Sequence, residues 1–202
     1  MLVLAFDTAT AVATIALVRD SGPDSVLGER TSRAVRLLED ADDLLARAGL
    51  ERRAIEGVAV GTGPGSYTGL RMGLVTARAL ALALDVPVAG VSTLAALAAG
   101  APGAAPLIDG RRSEVFALED GVPVVLPATK LEIERGRTYV GDGAVRYRDL
   151  LESGGAAVPA DDDPVHIPWA RHHAALADQF GPAELAEPIY LRLPDAERAL
   201  SR

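Results

Sequence analysis

The spacing of apolar residues in the first hundred positions restricts the possible folds more than any other feature of the sequence. Short apolar runs predict three strands, at residues 2–6, 12–18 and 26–30. A turn at residues 21–24 joins the last two strands. From residue 33 to residue 48 the apolar side chains instead recur at helical spacing, which predicts an amphipathic helix that ends at Gly49. A chain that changes period in this way packs helices against a sheet.

Strands and helices alternate after this first helix. The predicted elements are a strand at residues 55–60, a helix at about 70–84, a strand at 86–91 and a helix at 93–99. The order βββαβαβα is typical of an α/β fold. The second half gives weaker signals and looks like a reduced copy of the first, with strands near residues 107–109, 114–118, 122–126 and 138–140 and helices near 146–152 and 169–180. We therefore expect two domains, residues 1–100 and residues 101–202.

The composition excludes several classes of protein. Hydrophobic residues make up 49% of the 202 positions, enough to bury a core, and 28 acidic against 20 basic residues give a net charge of -8. Such a chain is poorly suited to bind nucleic acid by itself, because that affinity rises with the number of Lys and Arg residues on the phosphates. The lack of cysteine excludes disulfides and a cysteine nucleophile. Proline and glycine interrupt the uncharged stretch 86–108, so we expect no membrane span and a cytoplasmic location.

A glycine-rich loop at residues 61–69 joins a predicted strand to a predicted helix, a position where many proteins bind phosphate groups. The loop lacks the lysine of a P-loop and the third glycine of a dinucleotide fingerprint. The alternative is that its glycines only permit a tight turn and close packing. Asp7 also has two interpretations: its carboxylate holds a hydrated Mg²⁺, or it accepts hydrogen bonds from the amides of its own turn. The candidate nucleotide-binding residues are Asp7, Thr8, Gly63, Gly65 and Ser66.

The helix after this loop carries a ridge of small residues at intervals of four, made of Gly69, Gly73, Ala77 and Ala81. Such a ridge allows another element to approach closely. The rest of the helix is almost entirely apolar, so it is expected to be buried on most sides. The ridge is covered either by the chain itself or by a second protein, and the sequence leaves both alternatives open.

The other ionisable residues do not suggest a metal site. Three histidines lie late in the chain, at His166, His172 and His173. Their spacing does not place two imidazoles on one helix face, so no metal ligand set is expected. Asp109 opens the second half much as Asp7 opens the first, but Arg111 and Arg112 follow it and a surface ion pair is the simpler explanation. We expect no catalytic residue in this chain.

Three motifs closely resemble those of one protein family. Residues 4–10 read LAFDTAT, residues 61–71 read GTGPGSYTGLR and residues 90–94 read GVSTL. With later landmarks at residues 109–115, 141–144 and 188–192, the chain is similar to the TsaB (YeaZ) family of tRNA threonylcarbamoyladenosine biosynthesis proteins. The resemblance implies an actin-like ATPase fold (ASKHA, ribonuclease H-like) with a complete first domain and a reduced second domain.

The resemblance also implies a function without chemistry of its own. Such proteins bind and activate a related catalytic subunit, TsaD, which transfers the threonylcarbamoyl group to N6 of the adenosine beside the tRNA anticodon. It further implies a TsaE-type ATPase as a second partner, a homodimer when the chain is alone, and only indirect contact with tRNA. No protease activity and no required cofactor are expected, and ATP or ADP is a candidate ligand at the interface of the complex. The expected partner interface comprises Leu37, Leu38, Ala41, Leu44, Leu45, Gly69, Arg71, Gly73 and Ala77.

A second hypothesis is a standalone actin-fold ATPase or phosphotransferase that acts on a small molecule. It would use Asp7 and the glycine-rich loop to hold a nucleotide. ATP hydrolysis by the purified chain favours this hypothesis, whereas a stable complex with a TsaD homologue favours the first. The chain departs from many members of the family at its first helix, where Arg33 and Glu39 stand in place of a histidine and a proline.

Overall fold

The computed structural model describes residues 1–20 and 25–191. Its central sheet has five strands, β1 (Leu2–Asp7), β2 (Ala13–Arg19), β3 (Val26–Ser32), β4 (Gly57–Gly61) and β5 (Val88–Val91). Their order is β3-β2-β1-β4-β5, in which β2 is antiparallel to β1 and β3, whereas β1, β4 and β5 are parallel. Every residue of β1 and β4 is buried, as in a sheet covered on both faces. The predicted strands are confirmed, and the predicted turn at residues 21–24 lies outside the described residues.

Three helices belong to the first hundred residues, α1 (Leu37–Arg47), α2 (Tyr67–Leu84) and α3 (Thr93–Gly100). The apolar faces of α1 and α2 pack on one side of the central sheet and share a core with β1. α1 begins at Leu37, later than predicted, because Ala34–Arg36 form a short 3-10 helix. α2 begins earlier than predicted, because the Ser66 side chain accepts a hydrogen bond from the Gly69 amide and caps the first turn.

The second half builds smaller sheets from β6 (Ala105–Pro106), β7 (Ile108–Arg111), β8 (Glu114–Glu119), β9 (Val122–Pro127) and β10 (Tyr139–Val140). β7, β8 and β9 form an antiparallel meander, and β6 pairs in parallel with β10. The Leu107 amide donates to the Val140 carbonyl, so β6 and β7 continue in one line between β10 and β8. The order β10, β6/β7, β8, β9 repeats the order β4, β1, β2, β3 of the central sheet. The division into domains at residue 100 stays a prediction.

Three further helices are α4 (Asp142–Arg146), α5 (Arg148–Ser153) and α6 (Ala170–Leu176). α4 and α5 replace the single predicted helix, because Tyr147 between them departs from helical dihedral angles. α6 packs on the second face of the central sheet, against β1 and β2 and beside α3. It ends at Leu176 because Ala177 is extended, and the chain then pairs Gly181 with Val88 of β5. The α/β architecture predicted from the sequence is confirmed.

Candidate functional site

The carboxyl ends of the parallel strands meet at one edge of the central sheet, where open α/β sheets bind their ligands. β1 ends here at Asp7, β4 at Gly61 and β5 at Val91. The glycine-rich loop follows β4 directly, and α3 follows β5. The structure therefore brings the sequence-predicted nucleotide-binding residues to a single edge, and their contacts decide whether they are accessible to a ligand.

Asp7 is fully buried, and its carboxylate contacts Ala9, Thr93 and His173. Its Oδ1 accepts a hydrogen bond from the Ala9 amide at 2.6 Å, as expected for a carboxylate that satisfies its own turn. Its Oδ2 accepts one from the Thr93 hydroxyl at 2.6 Å. Nε2 of His173 lies 2.7 Å from the same oxygen, an ion-pair contact without regular hydrogen-bond geometry. The carboxylate is therefore enclosed by a turn, α3 and α6.

This enclosure also sets the acidity of Asp7. Burial alone would raise the pKa of the Asp7 carboxyl, because a charged group loses hydration. The neighbouring His173, together with the hydrogen bonds from Thr93 and the Ala9 amide, outweighs that effect and lowers the pKa of the Asp7 carboxyl below its usual value. These three residues stabilise the ionised carboxylate of Asp7.

α6 is held over Asp7 by polar contacts at its N-terminal end, to β2 and to β3. The Thr14 hydroxyl of β2 donates to the Pro168 carbonyl just before α6 at 2.8 Å. The Arg171 amide donates to Glu29 of β3 at 2.9 Å, and the two side chains form an ion pair. The buried methyl group of Ala170 packs between these contacts against the sheet. These contacts place His173 beside Asp7, although the two residues are far apart in the sequence. No local pattern in the sequence could therefore have indicated that they form a pair.

The loop residues predicted to hold a nucleotide are likewise engaged internally. The Thr8 hydroxyl donates to the Gly69 carbonyl at 2.7 Å, and the Gly63 amide donates to the Thr93 hydroxyl at 3.2 Å. The Ser66 hydroxyl accepts from the Gly69 amide as the cap of α2. A Cβ at Gly65 would lie 2.3 Å from the Ala9 carbonyl oxygen, so this glycine is needed for close packing of the loop on the turn after β1. These contacts favour the structural explanation of the loop.

The segment of residues 181–191, here named the C-terminal segment, begins beside the first residue of β5 and reaches the carboxyl end of β4 at Ile189. Its first residue, Gly181, exchanges two backbone hydrogen bonds with Val88 of β5, at 2.9 and 3.0 Å. Further along, the Ile189 amide donates to the Thr62 carbonyl at 2.8 Å, directly after β4. Together with α6, this segment leaves the strand ends covered by the chain itself.

The small-residue ridge of α2 is covered by the chain itself. A Cβ at Gly73 would lie 2.4 Å from Oγ1 of Thr8, and Ala77 and Ala81 are buried in the core shared with the sheet. Of the two alternatives that the sequence left open, the internal one is therefore correct. Four residues expected at the partner interface also lie in this core and are not available to a partner in this structure: Leu37, Ala41, Leu44 and Leu45. Leu38 and Arg71 are exposed.

Large apolar side chains remain exposed on α1, on α2 and on the 3-10 helix that precedes α1. Val35 and Leu38 are 78% and 56% exposed, and Val75 and Leu82 of α2 are 65% and 86% exposed. Val75 and Leu82 are two helical turns apart and therefore lie on the same face. We name these four residues the outer apolar face. Helical spacing in the sequence locates apolar positions, but it gives no sign of which of them the sheet covers.

Asp109 forms ion pairs, as the sequence predicted. Its carboxylate lies 3.3 Å from the guanidinium of Arg111 and 3.6 Å from that of Arg146. Its backbone amide donates to the Asp142 carboxylate at 2.9 Å. Across residues 1–20 and 25–191, no group of three His, Asp or Glu side chains is placed to hold a metal ion, and no helix is long and apolar enough to cross a membrane.

Comparison with known proteins identifies the family. A family model described as TsaD, tRNA N6-adenosine threonylcarbamoyltransferase, matches residues 26–157. The tRNA threonylcarbamoyladenosine biosynthesis protein TsaB of Escherichia coli strain K12 is 32% identical over an alignment 222 residues long with its gaps, which covers 95% of this chain and 95% of that protein. The chain belongs to the TsaB (YeaZ) family. The family assignment implied by the sequence motifs is thus confirmed.

Solved structures agree with this TsaB family assignment and with the fold. YeaZ from Pseudomonas aeruginosa superposes with a TM-score of 0.76 at 30% identity, over 94% of this chain and 99% of that one. The activator of the 2-hydroxyisocaproyl-CoA dehydratase from Clostridium difficile, solved with bound ADPNP, reaches a TM-score of 0.50 at 13% identity, over 87% of this chain and 94% of that one. The second likeness concerns the fold alone. The expected actin-like fold is confirmed.

Proposed function

We propose that this TsaB family member acts in tRNA threonylcarbamoyladenosine biosynthesis as a noncatalytic subunit, and that it binds and activates a TsaD-type threonylcarbamoyltransferase. The observation that carries the proposal is the enclosure of Asp7 by Ala9, Thr93 and His173. A standalone ATPase would need this carboxylate open to a nucleotide or its metal ion. Family membership supports the pathway, and the closed edge of the sheet supports the noncatalytic role.

The outer apolar face supports a role in protein binding. Contiguous exposed apolar side chains on a protein surface are typical of interaction sites. Val75 and Leu82 project from a helix whose Leu74, Ala77 and Ala81 are packed in the core beneath, so their exposure is not needed for folding. We assign this face to the TsaD-type subunit and, when that subunit is absent, to a second copy of the chain. Leu38 and Arg71 remain part of the proposed interface. The buried residues of that prediction pack the helices on the sheet: Leu37, Ala41, Leu44 and Leu45.

The other proposed partners supply the tRNA contacts and the ATPase activity that this chain is not expected to supply. The net charge of -8 is consistent with tRNA contacts made by other subunits, because phosphate binding requires basic surface. A TsaE-type ATPase completes the proposed machinery. We place any ATP or ADP at the interface of the complex rather than at Asp7.

Gel filtration of the purified chain with the TsaD-type protein of the same organism tests the proposal. A stable complex is expected, and adding the chain is expected to increase threonylcarbamoyladenosine formation by that protein. Val75→Asp combined with Leu82→Asp should weaken the complex strongly, because two carboxylates would lose hydration on binding. Val122→Asp, a matched change at an exposed position of β9, should have no effect. ATP hydrolysis by the chain alone that is lost in Asp7→Asn would instead support the standalone enzyme.

A further inference from the structure

The C-terminal segment contacts both ends of the glycine-rich loop with two consecutive residues. The Ile189 amide donates to the carbonyl of Thr62, the second residue of the loop, at 2.8 Å. The ring centre of Tyr190 lies 5.3 Å from that of Tyr67, the first residue of α2, and the two rings are tilted by 34°. Since the loop comprises residues 61–69, one short stretch of chain holds it at its beginning and near its end.

Other contacts attach the C-terminal segment to β5 and to α2. Gly181 and Val88 exchange two backbone hydrogen bonds, at 2.9 and 3.0 Å. The Arg78 side chain of α2 donates to the Ala186 carbonyl at 3.1 Å. A Cβ at Gly90 of β5 would lie 3.3 Å from Cα of Ala186. The segment therefore runs from the first residue of β5, past Gly90, to the carboxyl end of β4.

Few buried side chains hold the C-terminal segment on the rest of the chain. Of residues 181–191, Ala186 alone is buried, and its side chain is a single methyl group. Leu185 and Tyr190 are 70% and 44% exposed, whereas every residue of β1 is buried. Segments with few buried apolar contacts open locally at a lower free energy than the core of a protein unfolds. The central sheet can therefore stay folded while this segment leaves and returns.

The middle of the glycine-rich loop is supported by other parts of the chain. The Ser66 amide donates to the Ala9 carbonyl at 2.7 Å, and the Thr93 amide donates to the Gly63 carbonyl at 2.8 Å. These hydrogen bonds join the loop to the turn after β1 and to α3. Release of the C-terminal segment removes only the contacts at the two ends of the loop, so the loop is expected to loosen without unfolding.

We propose that the C-terminal segment acts as a strap, which opens as a unit and, when closed, fixes the conformation of the glycine-rich loop. The coupling is reciprocal, because a change in the loop that weakens these contacts must also favour opening of the segment. The inference concerns the chain by itself and does not depend on the proposed function.

Hydrogen exchange of the full chain, followed by NMR at low urea concentrations, tests whether the C-terminal segment opens by itself. The amides of Gly181, Val88 and Ile189 all donate between the segment and the sheet or loop, so they should share one opening equilibrium constant. We expect this constant to exceed that of the buried Ala16 amide in β2 by about 100-fold or more. Exchange of all four amides with the same opening constant and the same urea dependence would overturn the proposal, because opening would then require global unfolding.

Ile189→Pro tests the coupling to the glycine-rich loop. Proline removes the donated N–H, whereas Ile189→Ala retains it and is the matched control. Relative to Ile189→Ala, Ile189→Pro should speed the exchange of amides within residues 62–69 by about 10-fold and leave Ala16 unchanged. If these amides exchange equally in the two variants, the C-terminal segment does not fix the loop.

Tyr67→Ala tests the coupling from the opposite side and does not depend on folding of Ile189→Pro. It should speed exchange of the Ile189 amide by about 10-fold, because it removes the ring contact with Tyr190. Thr68→Ala, at an exposed neighbouring position, should have no effect. If Tyr67→Ala speeds exchange of the Ala16 amide in the same proportion, Tyr67 supports the whole fold and the reciprocal coupling is wrong.

Discussion

Replacement of Gly73 by alanine tests the packing of α2 on the central sheet. In a helix interior, alanine is more favourable than glycine by about 0.5–1 kcal/mol. The new Cβ would, however, lie 2.4 Å from Oγ1 of Thr8, about 1 Å short of ordinary contact. Thr8 cannot turn away freely, because that oxygen donates to the Gly69 carbonyl at 2.7 Å. Relieving the overlap costs about 1–3 kcal/mol, and losing the buried hydrogen bond costs about 1 kcal/mol more. We therefore expect Gly73→Ala to lower the free energy of unfolding by about 1–3 kcal/mol.

A double-mutant cycle with Thr8→Ala isolates this contact. Without Oγ1, the nearest atoms to the new Cβ are the Thr8 Cβ and a methyl of Val60, both at 3.7 Å, which is ordinary packing. In the Thr8→Ala background, Gly73→Ala should therefore raise the free energy of unfolding by about 0.5–1 kcal/mol. The resulting coupling energy is about 1.5–4 kcal/mol.

Urea unfolding of the four proteins, followed by circular dichroism, measures the cycle. If Gly73→Ala stabilises the chain equally in both backgrounds and weakens the complex with the TsaD-type subunit, the ridge faces a partner. That result would refute the internal packing described above. A coupling energy near zero with destabilisation in both backgrounds would show that Thr8 does not form the contact.

Three further predictions concern the closed edge of the sheet. His173→Ala should lower the free energy of unfolding by about 3–5 kcal/mol, because it leaves the Asp7 carboxylate buried beside an empty space, and urea unfolding at neutral pH checks this. The pKa of Asp7 is lowered in the folded chain from an ordinary value of 3.8. Its contribution to the free energy of unfolding is therefore present above pH 3.8 and is lost as the pH falls through the lower pKa of the folded chain. Asp7→Asn should remove this part of the acid dependence, which urea unfolding between about pH 2 and pH 6 measures. Ser66→Ala should cost about 1 kcal/mol through loss of the α2 cap, whereas Ser66→Gly should cost less, and thermal unfolding compares the two.

Local patterns in the sequence predicted the elements of the fold well. The change from strand period to helix period near residue 33 correctly separated β3 from α1, and the glycine-rich loop correctly joined β4 to α2. Where boundaries moved, the cause was a specific contact, such as the Ser66 cap of α2. The α/β class was predictable because such patterns depend on neighbours along the chain.

The site was predictable only in its location. The sequence grouped Asp7 and the loop as candidate nucleotide-binding residues, but the ion-pair contact of Asp7 with His173 joins distant parts of the chain and leaves no local signal. The predicted interface includes both buried and exposed residues of α1 and stays a prediction, because an amphipathic pattern shows which residues are apolar and not what covers them. Leu44 is therefore in the core, while Leu38 remains exposed.

The position of α6 has a consequence for the order in which the chain can fold. Val3, Ala5 and Ala59 of the central sheet pack against Ala170, which leaves the ribosome long after the strands themselves. Until α6 is synthesised, that face of the sheet has no cover and its apolar residues are open to unwanted association. Contacts between such distant positions also slow folding, because a long loop must close before the contact forms. We expect the nascent strands to depend on chaperones, and a fragment that stops before α6 to aggregate rather than fold.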